Sequence, residues 1–187
     1  ALASRDRYYK VEISGSADLP ADKKGVTTFP DKLKKLTICS ALPESETVLN
    51  FKKTLTIKSD VEMVGITLKS AEPATLNLGN YELKLNGCHI EDSAGNAAVN
   101  SVNGGGITGG SALSLDHTAL QTTAKCDKVG SVTVENSTET FGEFASHMLI
   151  NGAMNIGTLE IGEGQIVETR GAATITNIVN KGGTLIT

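Results

Sequence analysis

The chain has no tryptophan, only 4% aromatic residues, four prolines and three cysteines. Too few aromatics are present for the stacked platforms that many sugar and nucleic-acid sites use. Cys39, Cys88 and Cys126 allow at most one disulfide with a thiol left over. None lies in a C-x-x-C pair or at zinc-ligand spacing from a histidine, so buried thiols are expected and a metal is not. No apolar run approaches the ~20 residues of a membrane span, so no membrane insertion is expected. A basic excess is also missing: with 17 Lys and Arg against 21 Asp and Glu the net charge is -4, and no nucleic-acid partner is expected. The clustered Lys23, Lys24, Lys32, Lys34 and Lys35 read as a solvated face.

What is plentiful is glycine, at 20 of 187 residues, together with short alternating apolar runs. These runs are Leu36–Ile38, Leu55–Ile57, Leu76–Leu78, Leu113–Leu115, Val132–Val134, Leu159–Ile161 and Thr184–Ile186. Alternation over a few residues marks half-buried strands, and recurrence at roughly 20 to 29 residues falls in the solenoid range. One gap is wider, and "AAVNSV" at Ala97 to Val102 is expected to fill it. Further strand-like pieces, such as "GITLKS", "YELKLNG" and "GQIVET", put two or three strands in each period and leave no helical pattern. The expected fold is all-β: a single-stranded right-handed parallel β-helix, or β-solenoid. Residues 1–50 would form an N-terminal capping segment and 51–187 the coils. A leucine-rich-repeat-like solenoid is the alternative, since Leu33, Leu36, Ile38 and Leu42 suit its spacing, although Ala41 stands where that repeat wants asparagine.

"ATLNLGNYELKLNGCHIEDSAGN", with the similar rhythm of "GGGITGGSALSLDHTAL" and "GTLEIGEGQIVETRGAATITNIV", resembles the pectin-lyase-like parallel β-helix repeats of secreted and cell-surface bacterial proteins. The likeness covers about residues 50 to 187 and is one of rhythm, not of a catalytic motif. It implies a secreted or cell-surface location and a polysaccharide or host-surface ligand. The chain is further expected to be a fragment of a longer extracellular protein, with the strand-like "NKGGTLIT" continuing into further coils or meeting another domain.

"NGGGITGG" at 103–110 satisfies G-x-G-x-x-G, yet Leu113 and Leu115 after it alternate as a strand does. A dinucleotide site needs a helix N-terminus there, so the glycines are read as turn residues and no cofactor is expected. No serine elbow occurs. His89, His117 and His147 are scattered, and Asp116 and His117, as strand neighbours, are expected on opposite faces. "DSAGN" at Asp92 to Asn96 reads as a turn rather than a calcium loop. Asp116, Glu135 and Glu160 fall in separate periods with no paired pattern, so no catalytic residue is assigned. The ligand-binding candidates are the outward residues between inward pairs: Thr37, Thr56, Asn77, Ser114, Thr133 and Glu160. If stacked ~4.8 Å apart they would line one flat face. Two functions stay open: a noncatalytic adhesive, glycan-binding or spacer module, and a polysaccharide lyase or glycoside hydrolase on the same scaffold.

Overall fold

A computed structural model describes residues 7–41, 47–70, 75–91, 106–122, 125–138 and 145–187. Among them are twenty strands and no helix, and every strand pairing is parallel. "AAVNSV" and "DSAGN" lie outside the described residues.

The strands sort into three faces that the chain visits in rotation. Face 1 holds β1 (Tyr8–Ile13), β4 (Lys35–Ser40), β7 (Asp60–Val64), β10 (Glu82–Asn86) and β13 (Ala112–Asp116). Face 3 is made of two separate four-stranded sheets, one of β2 (Ser16–Asp18), β5 (Val48–Phe51), β8 (Thr67–Ser70) and β11 (His89–Glu91), the other of β14 (Leu120–Thr122), β16 (Met148–Ile150), β18 (Ile166–Thr169) and β20 (Thr184–Ile186). Face 2 holds β3 (Val26–Thr28), β6 (Thr54–Thr56), β9 (Thr75–Gly79) and β12 (Gly106–Gly109). The long strands β15 (Lys125–Glu135), β17 (Met154–Ile161) and β19 (Ala173–Asn180) start on face 2 and end on face 1, joining both into one curled 12-stranded sheet.

Most strands give the core their alternate side chains, while β16 is buried throughout. On face 1 the register stacks Leu36, Val61, Leu83, Leu113, Val132 and Leu159, and beside them Ile38, Met63, Leu85, Leu115, Val134 and Ile161. All are buried, as are all ten residues of the Leu55–Ile57, Leu76–Leu78, Leu113–Leu115, Val132–Val134 and Leu159–Ile161 pairs expected inside. A single strand cannot close such a core; each circuit needs the one above and below it.

The apolar triplets do not mark one repeating position, however. Leu36–Ile38 and Leu113–Leu115 lie on face 1, Leu55–Ile57 and Leu76–Leu78 begin in strands of face 2, and Thr184–Ile186 lies on face 3. True circuits, read between register partners, range from 18 residues (Val167 to Leu185) to 32 (Ala17 to Leu49). A leucine-rich repeat adds one strand per repeat; here each circuit supplies three faces. Residues 8–51 supply β1 to β5, which join the same faces as the later strands.

The glycine run of 103–110 resolves into backbone geometry. Gly106 opens β12, while Gly109 and Gly110 make the corner to β13 with φ of +72° and +104°. Only glycine enters that region without strain. A strand follows, so no helix N-terminus is present to hold a phosphate.

Candidate functional site

The six predicted surface residues fall on two faces. Thr37, Ser114, Thr133 and Glu160 share one outward column of face 1, interleaved with Glu62 and Lys84. Thr56 and Asn77 are register partners on face 2. The split follows from the triplets: a pair of inward residues flanking an outward one occurs on both faces, so sequence spacing alone merged them.

Face 2 carries the more uniform column. Register links Thr28, Thr56, Asn77, Thr108, Asp127, Asn155 and Thr174 over seven successive strands. Behind them Leu55, Leu76, Ile107, Cys126 and Met154 are buried, which fixes the column outward. Thr28, Asn155 and Thr174 are exposed and the other four half-buried. At ~4.8 Å per strand the seven groups span about 29 Å. Every rung ends in a hydroxyl, amide or carboxylate and none is aromatic.

The column is partly wired from within. Asp127 Oδ1 accepts from Asn155 Nδ2 at 3.1 Å, and Oδ2 accepts from Lys125 Nζ at 3.3 Å. Those two bonds, with Lys125 first, hold the Asp127 carboxyl below the usual carboxylate range. Asn77 Oδ1 accepts from the Gly79 N–H at 3.1 Å. Such contacts hold the Asp127 and Asn77 side chains in fixed rotamers. Under the column, burial pushes the Cys126 thiol up to about 12, helped by the adjacent Asp127 charge. It is inert at neutral pH. All three cysteines are free thiols.

Sequence reasoning missed Thr28, Thr108, Asp127, Asn155 and Thr174. A usable signal was present: each lies just after an inward residue in a face-2 strand. Finding it required knowing which triplets belonged to face 2.

A second constellation sits where face 1 strands end, and it corrects two expectations. Asp116 and Glu135 are register partners on neighbouring strands, so the acids are paired. Their 19-residue separation is one short circuit, which strand alternation could not reveal. Asp116 Oδ1 also lies 2.7 Å from His117 Nδ1 and accepts from Asn136 Nδ2 at 2.9 Å. Asp116 and His117 therefore do meet: β13 ends at Asp116, and His117 turns with φ of +47°, so the alternation that would separate them no longer holds. Asn136 has φ of +55° one circuit on. His117 is exposed, and Glu160 takes an ion pair from Lys181 at 2.5 Å nearby on the same face.

The other two histidines lie at or just before the starts of the face-3 strands β11 and β16. His89 heads β11, where its backbone N–H donates to the Ile66 carbonyl. His147 is buried, and its Nδ1 accepts from the Ile166 N–H at 2.9 Å. Burial pushes its pKa down. Beside it, Glu168 accepts from Ser146 Oγ at 2.7 Å and from Arg170 Nε at 2.9 Å, bonds that hold its carboxyl low. Among the described residues no group of three or more His, Cys, Asp or Glu is placed to hold a metal ion. Comparison of the chain with protein-family models, with curated proteins and with solved structures returned no match.

Proposed function

We propose that the chain is a single-stranded, right-handed parallel β-solenoid of the pectin-lyase-like kind, and that it serves as a noncatalytic module of a larger bacterial surface protein, binding an extended polysaccharide along face 2. Handedness is inferred from the general rule for parallel crossovers. The observation that carries the binding role is the seven-rung polar column from Thr28 to Thr174. A polymer laid along it meets a similar short polar group at each step. Individually weak hydrogen bonds then add along one ligand, as linked contacts do. A hydroxyl-rich, uncharged chain suits threonine and asparagine, and with little aromatic surface the recognition rests on hydrogen bonds rather than stacking. If no ligand binds, the same column is only a solvated surface and the prism a rigid spacer.

One observation favours a second reading, a carbohydrate-active enzyme on the same scaffold: Asp116 lies opposite Glu135 beside His117. A hydrolase works with two carboxyl groups about 5 to 9.5 Å apart. A glycan-array screen combined with a turnover assay on the bound polysaccharides separates the readings. The binding role predicts retention without turnover, and at least a roughly tenfold weaker Kd in Thr108→Arg, which pushes a bulky cation into the middle of the column. Turnover that disappears in Glu135→Gln and Asp116→Asn would replace it with the enzyme.

A further inference from the structure

We propose that Asn151 is a site of spontaneous modification, where the Gly152 backbone nitrogen closes on the Asn151 side chain and water opens the resulting succinimide to aspartate or isoaspartate. The reaction balances with water alone. The Gly152 nitrogen forms a bond to Asn151 Cγ, the Cγ–Nδ2 bond breaks, and the amide nitrogen leaves as ammonia with the Gly152 proton. Water then hydrolyses one of the two ring carbonyls. Opening at Cγ gives aspartate; opening at the main-chain carbonyl gives isoaspartate, whose backbone runs through Cβ and Cγ. A glycine after the asparagine favours closure, because no Cβ stands beside the attacking nitrogen and its backbone turns freely.

Asn-Gly occurs three times in the chain, at 86–87, 103–104 and 151–152, the second lying outside the described residues. The other two place the same chemistry in opposite surroundings. Asn86 ends β10, which pairs with β7 on one side and β13 on the other. Its carbonyl accepts from the Gly65 N–H at 2.9 Å, and the Gly87 N–H, whose nitrogen would have to attack, donates to the Asp116 carbonyl at 2.9 Å. That nitrogen is held against the neighbouring circuit. Asn151 and Gly152 instead lie in the bend between β16 and β17, both half-buried. Ladder bonds to the next circuit flank them: the Arg170 N–H donates to the Ile150 carbonyl and the Met154 N–H to the Ala172 carbonyl, both at 2.9 Å. Between these bonds the Gly152 N–H donates to no backbone carbonyl among the described residues, and the Asn151 amide has no hydrogen bond among them either. Closure at Asn151 therefore breaks no ladder bond, whereas closure at Asn86 must first open a strand end. The product puts a carboxylate or a rerouted backbone at the bend leading into β17, the strand that carries Asn155 of the face-2 column.

The test is peptide mapping by fragmentation mass spectrometry of the 187-residue chain aged in mildly alkaline buffer, reading amide-to-acid conversion at each asparagine and separating aspartate from isoaspartate. In the folded chain Asn151 should convert at least roughly tenfold faster than Asn86, because the Gly87 nitrogen is released only when its strand end opens. In the chain held unfolded by denaturant the two rates should come within about twofold of each other, since only the dipeptide is left to set them. The comparison needs no substitution, so no variant has to fold. Equal rates at the two sites in the folded chain, faster conversion at Asn86, or an Asn151 that stays intact in the folded chain while the unfolded chain converts, overturns the proposal.

Discussion

At Gly130 a side chain is excluded by distance alone. A Cβ there would sit 2.5 Å from the Ser111 carbonyl oxygen, which is fixed by accepting the Ser131 N–H. Its own N–H donates to the Gly110 carbonyl, and Gly157 approaches the Gly130 carbonyl just as closely in the next circuit. Gly130→Ala should therefore destabilise by about 1–3 kcal/mol, measured by denaturant unfolding, because backbone at this corner must move. His147 gives a pH signature. Its Nδ1 must stay unprotonated to accept from Ile166, and burial depresses the folded pKa. The neutral form is the one the fold favours. Its contribution is complete above the unfolded pKa of ~6.5 and is lost as pH falls through the depressed folded value. Tm should drop by a few degrees between pH 7 and pH 5, and His147→Gln should flatten that slope. The low-pKa carboxyls Asp127 and Glu168 lose their contribution only at more acidic pH, so their effect is separable.

In the six triplets from Leu36–Ile38 to Leu159–Ile161 the middle points out and the flanks point in, a local rule readable from residue type, whereas in Thr184–Ile186 it is the middle residue Leu185 that packs inward. Leu113 and Leu115 are both fully buried around the half-buried Ser114. Replacing Leu115 with Asp should cost about 3–5 kcal/mol in chemical unfolding, since an unpaired carboxylate would enter a core without partners. Wild-type stability in that variant would refute the inward assignment. Which face a triplet occupied was not readable. Leu36–Ile38 and Leu55–Ile57 obey the same alternation, yet one belongs to face 1 and the other to face 2. Circuit length varies because corners differ, from the glycine corner at Gly110 to longer excursions, and sequence spacing mixes these with strand-to-strand steps. The same limit hid the pairing of Asp116 with Glu135. His117 was hidden for another reason, because a non-glycine residue with positive φ leaves little trace in sequence.

Across the whole molecule, the three faces share one large core, with Ala119 and Leu149 in a small separate cluster, and differ in what they show to solvent. Face 1 mixes charges, with Lys35 bridged to Glu62 at 2.6 Å and Glu160 to Lys181. Its outward column alternates sign and size from Lys10 to Val179, which suits no regular ligand. Face 2 keeps short polar side chains on seven successive rungs, Asp127 being the charged one, and polysaccharide binding is proposed there. The most direct measurement is isothermal titration of the polysaccharide selected on the array into wild type, Thr108→Arg and Thr133→Arg. Thr133 is the matched control, an outward threonine of face 1 in the middle of the same prism. Binding at least roughly tenfold weaker in Thr108→Arg and unchanged in Thr133→Arg is the predicted result. Equal affinity in Thr108→Arg and wild type, or loss confined to Thr133→Arg, would contradict it.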